Sequence, residues 1–153
     1  MITALILIPL LGAFAVCVWP HTNARPIVLI FNIITATLAL MLWRNFDATA
    51  TGLQMVERHV WIPAIGAEYL LGIDGLSLLL VLLTSIIIPF AFLVQRMDRG
   101  FCALMLGTQS ALYGTFTAQN FVLWFLFYEM SLIPAFLLIK IWGGENRDRK
   151  SVV

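Results

Sequence analysis

Long runs of residues without any charge are the feature that most limits the folds open to this sequence. Residues 1–19, 27–43 and 75–94 form three such runs, each close to the length of about 20 residues at which a helix crosses a bilayer. Charged residues make up 11 % of the 153-residue chain and hydrophobic residues 61 %. A soluble domain has about 25 % charged residues. The pattern therefore predicts an integral membrane protein built from helices.

A fourth and a fifth span follow from one longer apolar stretch that begins after Gly100. We divide this stretch at residues 117–120, where "TAQN" brings polar residues together and ends on an asparagine suited to the N-cap of a helix. The predicted spans are residues 101–116 and 121–142. The sequence therefore predicts an all-α polytopic membrane protein with about five transmembrane helices.

The segment between the second and third spans, residues 44–74, is too polar to cross a membrane and too apolar to be disordered. It contains the aromatic residues Trp61 and Tyr69, of the kind that lie at bilayer interfaces, and the turn residues Pro63 and Gly66. We expect a short hairpin or an interfacial segment that lies outside the hydrocarbon layer.

The distribution of basic residues predicts the orientation of the chain. With five spans the connecting loops alternate between the two sides, and cytoplasmic loops carry the excess of Lys and Arg. Arg44 and Arg58 fall on the side of the N-terminus. The opposite side carries Arg25, Arg96, Arg99, Arg147, Arg149 and Lys150, with Lys140 close by. We therefore expect the N-terminus outside and the C-terminus in the cytoplasm.

The sequence lacks the residues that several kinds of chemistry require. Cys17 and Cys102 lie inside apolar runs without CxxC spacing, which favours a packing role for both. Two cysteines are too few for an iron–sulfur cluster, and two histidines outside the apolar runs do not fit a haem held between membrane helices. The net charge of +1 provides no basic surface for nucleic acid. We expect no cofactor, no metal site and no nucleic-acid partner.

Glu129 is the residue most expected to carry chemistry. It lies inside "FLFYEMSLIPAFLLIKIW", residues 125–142, where a carboxylate is costly. No basic residue lies three or four positions away in the sequence, so a partner has to come from another helix. A carboxyl whose charge depends on a movable partner is suited to a proton relay. The alternative is a neutral acid that hydrogen-bonds within the bundle and joins helices.

Two residues of the same span are candidates for supporting roles. Pro134 removes the N–H that would bond to the carbonyl of Met130, and the free acceptor either binds water or marks a kink. An ordinary proline of a membrane helix is the equal alternative. Lys140 lies about 16 Å further along the helix than Glu129, too far for an ion pair. It either extends to the interface or adds a second ionisable group to the same path.

The remaining polar residues at depth are expected to have structural roles. Asp74 precedes the third span in "DGLS" and is predicted to act at the N-terminus of that helix as a cap. Hydrogen bonds between helices are the predicted role of Asn32, Thr84, Ser85, Gln109 and Ser110.

Several motifs resemble one family of membrane proteins. Residues 127–147, "FYEMSLIPAFLLIKIWGGENR", resemble the fifth transmembrane helix of the antiporter-like subunits of respiratory complex I (NADH-quinone oxidoreductase), subunit M in particular. Residues 72–93, "GIDGLSLLLVLLTSIIIPFAFL", resemble the third helix of that subunit and its entry. "WIPAIGAEYLLGIDG" is similar to the preceding hairpin, and "LILIPLLGAF" to the first helix. The resemblance covers nearly the whole chain.

The resemblance implies a function. Glu129 would be the family's glutamate on helix five, which interacts with a buried lysine on a later helix and couples electron transfer elsewhere to proton translocation. The chain would belong to an oxidoreductase that acts as a translocase, without a redox cofactor of its own. Its partners would be other membrane subunits of complex I, the lipid bilayer and later helices of the same subunit. Its location would be the cell inner membrane or an equivalent energy-transducing membrane.

The sequence also departs from this family. It ends at "DRKSVV", where family members continue into helices that carry buried lysines. We therefore expect an N-terminal portion from a truncated or split gene, which does not pump protons alone. Subunits of multisubunit cation/proton antiporters and of membrane hydrogenases share the glutamate on helix five and form the first alternative. A membrane module without catalytic function, in which Glu129 only joins helices, is the second.

Overall fold

The helices of this protein lie where the apolar runs of the sequence lie. The computed structural model describes residues 1–18, 24–94 and 98–143. The helices are α1 (Ile2–Val18), α2 (Arg25–Asn45), α3 (Gly75–Val94), α4 (Arg99–Thr117) and α5 (Phe121–Trp142), and the strands β1 (Gln54–Ile62) and β2 (Ala67–Ile73) lie between α2 and α3. The predicted fold class, a helical membrane protein with a hairpin between its second and third helices, is confirmed.

Three of the described helices are long and apolar enough to cross a membrane, judged by length and composition. They are α2, α3 over residues Gly75–Phe92, and α5. α1 is a shorter apolar helix of 17 residues. α4 carries the polar sequence Thr108, Gln109 and Ser110 at its centre. The count of five spans, with the boundaries drawn from the sequence, therefore stays a prediction.

Four helices form a ring, and the fifth packs against one side of it. α1 packs against α2 and α4, α2 packs against α3, and α3 packs against α4, so that α1 to α4 form a ring. α5 packs against α4 and against strand β2. The hairpin contacts α1, α3 and α4 of the ring, on the side where α1 begins, and we call this side the hairpin end. The opposite side of the ring is the far end.

The core of the ring consists of two apolar clusters. Because lipid is as apolar as these side chains, the clusters stabilise the ring by close packing rather than by removal from water. The hairpin-end cluster contains Ile2, Leu5, Ile6, Ala39, Leu42, Leu71, Ile73, Leu78, Val81, Tyr113 and Leu123. The far-end cluster contains Val16, Ala24, Val28, Ile88, Phe92, Phe101, Cys102 and Leu106.

Two of the predicted hydrogen bonds between helices are present. Ser110 on α4 donates its hydroxyl hydrogen to the carbonyl oxygen of Ile6 on α1 at 2.7 Å. The hydroxyl oxygen of Ser85 on α3 lies 2.7 Å from the hydroxyl of Tyr113 on α4. These two contacts join α4 to both of its neighbours in the ring.

Three other polar side chains do not form the interhelical bonds predicted for them within the described residues. Asn32 and Thr84 each donate to the carbonyl four residues earlier in their own helix, at 2.9 and 2.8 Å. Gln109 donates to the hydroxyl of Tyr113, one turn further along α4, at 3.1 Å. A nearby group of the same helix is within reach without any adjustment of a neighbouring helix, so local bonds form instead.

The hairpin is a two-stranded antiparallel sheet with an irregular register. The chain turns through a short 3-10 helix, Pro63–Ile65, and through Gly66, whose φ of 65° lies in the left-handed region that favours glycine. Arg58 donates two hydrogen bonds to the carboxylate of Glu68, at 2.8 and 2.7 Å. A shift in register between Gln54 and Glu57 marks a bulge in β1.

Glu57 joins the hairpin to the first turn of α1. Its carboxylate accepts hydrogen bonds from the backbone N–H groups of Ile2 and Thr3 at 2.9 and 3.0 Å, and it contacts the N-terminal amine and the Thr3 hydroxyl. An anion here satisfies free N–H groups and is stabilised by the helix dipole. Burial alone would raise the pKa of Glu57, but the bonds from the amine and Thr3 outweigh it and hold the pKa at about 2.

Asp74 caps α3, as the sequence predicts. Its Oδ1 atom accepts hydrogen bonds from the backbone N–H of Ser77 at 2.7 Å and from the Ser77 hydroxyl at 2.6 Å. The Ser77 hydroxyl oxygen in turn accepts a bond from the backbone N–H of Asp74 at 2.8 Å, which completes a reciprocal cap. The Ser77 hydroxyl, followed by the Ser77 N–H, lowers the pKa of Asp74 below its ordinary value.

α4 and α5 approach each other closely at Gly114. A Cβ atom at this position would lie 2.4 Å from the ring of Phe127 on α5, far inside van der Waals contact. Small residues at helix contacts let two backbones come together, which is the common arrangement between membrane helices. The absence of a side chain at Gly114 is therefore what allows α5 to pack against the ring here.

We expect Gly114→Ala to weaken the packing of α5 on α4. The added methyl group overlaps the ring of Phe127, and overpacking of this kind costs about 1–3 kcal/mol. Thermal unfolding in detergent, followed by circular dichroism, measures the loss as a lower Tm. Gly107→Ala is the matched control, because nothing lies within 4 Å of a Cβ atom there and alanine favours the helix. A Tm for Gly114→Ala as high as that of the control would contradict the close approach.

Acid should weaken the contact between the hairpin and α1. The pKa of Glu57 is about 2 in the folded chain and 4.5 ordinarily. The unfolded chain therefore binds the proton first, and stability is lost as the pH falls from 4.5 towards 2. We expect the free energy of unfolding to fall by about 1 kcal/mol. This is less than the full pKa shift implies, because the carboxylate is partly exposed to solvent.

The variant Glu57→Gln isolates this contribution. It removes the group that titrates, so the decline of Tm between pH 4.5 and pH 2 should be shallower than in the unchanged chain. Its Tm at neutral pH should also be lower, because a neutral amide accepts weaker bonds from the first turn of α1 than a carboxylate does. Identical Tm curves against pH for the two proteins would show that Glu57 does not stabilise the fold as an anion.

Candidate functional site

Glu129 lies in the third turn of α5, about 12 Å along the helix axis from Phe121. Its side chain is exposed, and so are Phe125 and Ile133, one turn before and one turn after it. Within residues 1–18, 24–94 and 98–143, no group forms a hydrogen bond or an ion pair with Glu129. The carboxyl group therefore points away from the ring, and α1 to α4 do not supply its predicted partner.

Most of the surface of α5 is uncovered. Of its 22 residues, Leu123 and Ser131 are the buried ones. In a membrane such a surface is covered by lipid or by other helices, and a carboxylate within it is costly unless a partner or water reaches it. The exposed large apolar residues of this surface are Phe121, Trp124, Phe125, Leu126, Tyr128, Met130, Leu132, Ile133, Phe136, Ile139 and Ile141.

Asn120 fixes the start of α5 and acts as the N-cap expected from the sequence. Its side-chain oxygen accepts hydrogen bonds from the backbone N–H groups of Val122 and Leu123 at 3.1 and 3.4 Å. Its side-chain nitrogen donates to the carbonyl of Gly66 at the tip of the hairpin, at 3.2 Å. The hairpin and the cap together set the position of α5, and therefore of Glu129.

Pro134 lies inside α5 without ending the helix. Because proline has no N–H, the carbonyl oxygen of Met130 lacks its usual donor from the helix. One position further, the hydroxyl of Ser131 donates to the carbonyl of Tyr128 at 2.7 Å. The backbone beside Glu129 thus presents a free acceptor, which water or a polar group of a neighbouring helix is able to satisfy.

Lys140 lies in the last turn of α5, and its side chain is exposed. Its Nζ atom is 5.7 Å from the centre of the Phe136 ring, a distance suited to a cation–π contact. Along the axis it lies about 16 Å from Glu129, so the structure does not bring the two ionisable groups together. The two roles considered for Lys140, an anchor at the interface and a second ionisable group on the path, both stay predictions.

A cavity of about 500 Å³ opens at the hairpin end, between α3, α4 and α5. Its walls include Tyr128 and Ser131, which flank Glu129 in the sequence. The ring of Tyr128 stacks on that of Trp124, with 5.3 Å between their centres and 10° between their planes. Trp124 and Tyr128 are four residues apart, a spacing that makes their side chains neighbours on the helix surface. This spacing is the sequence signal for the cavity wall, and apolar composition alone does not show it.

The described part of the chain contains no metal-binding cluster. In that part, no group of three or more His, Cys, Asp or Glu side chains lies close enough together to hold an ion. Cys102 is a free thiol buried in the far-end cluster, as its apolar setting predicts. Cys17 is exposed on the described chain, and its packing role stays a prediction. His59 lies on β1 beside Tyr69, and His21 falls outside the described residues.

Known proteins resemble this chain over nearly its whole length, although no family model matches it. NAD(P)H-quinone oxidoreductase chain 4 2 of Thermosynechococcus vestitus is 39 % identical over 155 residues, which cover 96 % of this chain and 29 % of that protein. F(420)H(2) dehydrogenase subunit M of Methanosarcina mazei is 38 % identical over 156 residues, which cover 96 % of this chain and 31 % of that protein. The chain is homologous to the N-terminal part of these subunits.

A solved structure gives the same result. A chain of the respiratory complex I from Thermus thermophilus with bound NADH matches this subunit-M homologue with a TM-score of 0.82 and 28 % identity. The match covers 97 % of this chain and 31 % of that chain. The resemblance to the antiporter-like subunits is therefore confirmed. The homologue spans about three tenths of the length of the relatives it matches.

We expect Asn120→Ala to loosen the start of α5 in the subunit-M homologue. Loss of an N-cap side chain costs about 1 kcal/mol, and the bond to Gly66 is lost as well. Hydrogen exchange at the backbone amides of Val122 and Leu123 should become faster, and the Tm should fall. Asn120→Asp is the matched control, because aspartate keeps the cap but cannot donate to Gly66. Unchanged exchange in the alanine variant would show that the cap does not hold this helix end.

Proposed function

We propose that this chain forms the N-terminal helices of a membrane subunit of a proton-translocating NAD(P)H-quinone oxidoreductase. The observation that carries the proposal is Glu129, an ionisable residue on the uncovered apolar face of a membrane helix, in a homologue of chain 4 of these enzymes. Ionisable residues within membrane helices mark proton and ion pathways. The electron transfer itself takes place in other subunits, and this chain contributes to the coupled proton movement as part of the translocase.

Glu129 acts in this proposal as a proton relay. An ionised carboxylate in hydrocarbon is costly, so its charged form needs a cation close by. Since α1 to α4 supply no such group among the described residues, the cation belongs to a later helix of the same subunit that covers α5. When the cation approaches, Glu129 releases its proton, and when the cation withdraws, Glu129 binds one again. This cycle moves protons across the membrane if Glu129 releases its proton towards one side and binds the next proton from the other side.

Pro134 and Lys140 support the relay in this proposal. The carbonyl of Met130, left without a donor by Pro134, holds a water molecule beside Glu129 and so extends the path of the proton. Lys140 lies near the far end of α5, where its charge reaches the membrane surface and stands close to the end of that path. Neither residue replaces the partner cation, because neither approaches the Glu129 carboxyl group.

The surroundings of the subunit follow from the same proposal. The uncovered face of α5 contacts later helices of the subunit, and the remaining apolar surface contacts lipid and other membrane subunits of complex I. The protein is multi-pass in the cell inner membrane or an equivalent energy-transducing membrane. The hairpin end lies outside and the far end, with Arg25 and Arg99, lies on the cytoplasmic side, in keeping with the excess of basic residues there.

The relative from Methanosarcina mazei favours a second candidate for the source of electrons. Its name gives F420H2 as the compound oxidised, and it is as similar to this chain as the NAD(P)H enzymes are, at 38 % identity. The same helices therefore occur in enzymes with different electron donors. Purified complex that oxidises F420H2 but not NADH would assign this chain to the second class, without any change in the role proposed for Glu129.

We expect Glu129→Gln, introduced into the complete complex, to abolish or sharply reduce proton pumping. The amide has nearly the shape of the carboxyl group but cannot release a proton. Since the side chain is exposed and forms no hydrogen bond or ion pair within the described residues, assembly of the complex should be nearly normal. Acidification of inverted membrane vesicles during substrate oxidation measures pumping, and native gel electrophoresis measures assembly.

Two further variants make this test specific. Glu129→Asp keeps the carboxyl group one methylene further from its partner, and it should retain part of the pumping activity. Lys140→Met removes the charge at the far end and should have a smaller effect than Glu129→Gln, because Lys140 is an accessory group in the proposal. Normal pumping by Glu129→Gln would exclude the relay and leave the carboxyl group as a contact between helices.

A further inference from the structure

A layer of polar side chains separates the two apolar clusters of the ring. On α2 the layer lies between Val28 of the far-end cluster and Ala39 of the hairpin-end cluster, and on α4 between Leu106 and Tyr113. Its residues occupy central turns of their helices, so the layer lies near mid-depth of the ring. It consists of Asn32, Thr35, Thr84, Ser85, Gln109 and Ser110, each more than nine-tenths buried.

The hydroxyl groups of this layer have already given their hydrogens to carbonyl oxygens. Those of Thr35, Thr84 and Ser85 donate to the carbonyl four residues earlier, at 2.6, 2.8 and 2.8 Å. That of Ser110 donates to a carbonyl of α1 at 2.7 Å. Because the Ser85 hydrogen is used, the hydroxyl of Tyr113 is the donor in the contact between them. A hydroxyl group has one hydrogen, so none of these groups has another to give.

Two amide oxygens of the layer still need a donor. Oδ1 of Asn32 and Oε1 of Gln109 are buried, and neither accepts a hydrogen bond from any residue in the part of the chain that the structure describes. An unpaired buried acceptor is costly and rare in folded proteins. The orientation of both amides is fixed, because an exchange of oxygen and nitrogen would set the Asn32 oxygen against the Val28 carbonyl and the Gln109 oxygen against a Tyr113 hydroxyl whose hydrogen is used. The missing partner must therefore be a hydrogen-bond donor.

We propose that the polar layer is a binding site for internal water, which donates hydrogen bonds to Asn32 and Gln109. Asn32 lies on α2 and Gln109 on α4, and α1 and α3 lie between these two helices on either side of the ring. The two buried amides therefore lie on helices at opposite sides of the ring. Buried water in proteins makes two to four hydrogen bonds to polar groups of this kind. The site is separate from Glu129, which lies on the outer face of α5.

Other occupants fit the layer less well than water. A metal ion requires several oxygen ligands with at least some negative charge, and the six side chains of the layer include no carboxylate. A lipid chain has no hydrogen to donate to an amide oxygen. Water provides donors in the smallest volume.

Solid-state NMR with polarisation transfer from water tests the proposal on the full chain in lipid bilayers. We expect transfer to the side-chain amides of Asn32 and Gln109 to build up several-fold faster than transfer to the methyl groups of Val28 and Leu106. Those methyl groups lie in the apolar far-end cluster and serve as the dry reference. If transfer to the two amides is as slow as transfer to these methyl groups, the proposal is overturned. This result would be decisive without the variants described next.

A double variant, Asn32→Leu with Gln109→Met, removes both acceptors and nearly keeps the volume of the side chains. Transfer from water to Thr35 and Ser85 should then fall to the level of the dry reference. Thr108→Val is the control, because Thr108 adjoins Gln109 but donates to its own helix at 2.9 Å and lies outside the layer. Fast transfer that persists in the folded double variant would overturn the assignment of these amides. The experiment detects bound water rather than proton pumping, so its outcome does not depend on the role of Glu129.

Discussion

A membrane interior contains no water to satisfy polar groups, and this constraint governs the structure of the chain at every level. Backbone groups are satisfied by forming helices, and the free N–H groups at three helix starts are satisfied by side chains. Glu57 serves α1, Asp74 serves α3 and Asn120 serves α5. Two of these caps also connect the hairpin to a helix, since Glu57 belongs to β1 and Asn120 donates to Gly66. The hairpin is therefore part of what holds the helix ends in position, although it lies outside the membrane helices themselves.

The same constraint separates the supporting part of the chain from the reactive part. Inside the ring, hydroxyl groups are paired with carbonyl oxygens, and the layer around Gln109 is complete once water is bound. On the outer face of α5, Glu129 has no pairing with the described residues. A carboxyl group that the fold satisfies keeps one charge state, and one that depends on a movable partner can change it. The exposed position of Glu129, which the ring leaves without a partner among the described residues, is consistent with the relay role proposed for it.

Local signals account for the features that could be predicted from the sequence. Apolar runs located all five helices, "DGLS" located the cap of α3, and Asn120 located the start of α5, because each depends on neighbours within a few residues. Contacts set by packing could not be predicted in this way. Glu57 accepts from Ile2, which is 55 residues away in the sequence, and the bond from Ser110 to Ile6 spans 104 residues. The direction in which Glu129 points was also hidden, because α5 is apolar on every side and has no periodicity that distinguishes a covered face.

The names of the relatives bear on the role proposed for this region. Proteins named for NAD(P)H and for F420H2 are equally similar to the chain, at 38 % identity. Residues that bind an electron donor would have to differ between these two classes, whereas residues that move a proton through a membrane need not. A set of helices shared by both classes is therefore expected to serve the step that they have in common. This expectation agrees with the relay proposed for α5, whose one carboxylate, Glu129, lies in the third turn of the helix on a face that the ring leaves uncovered.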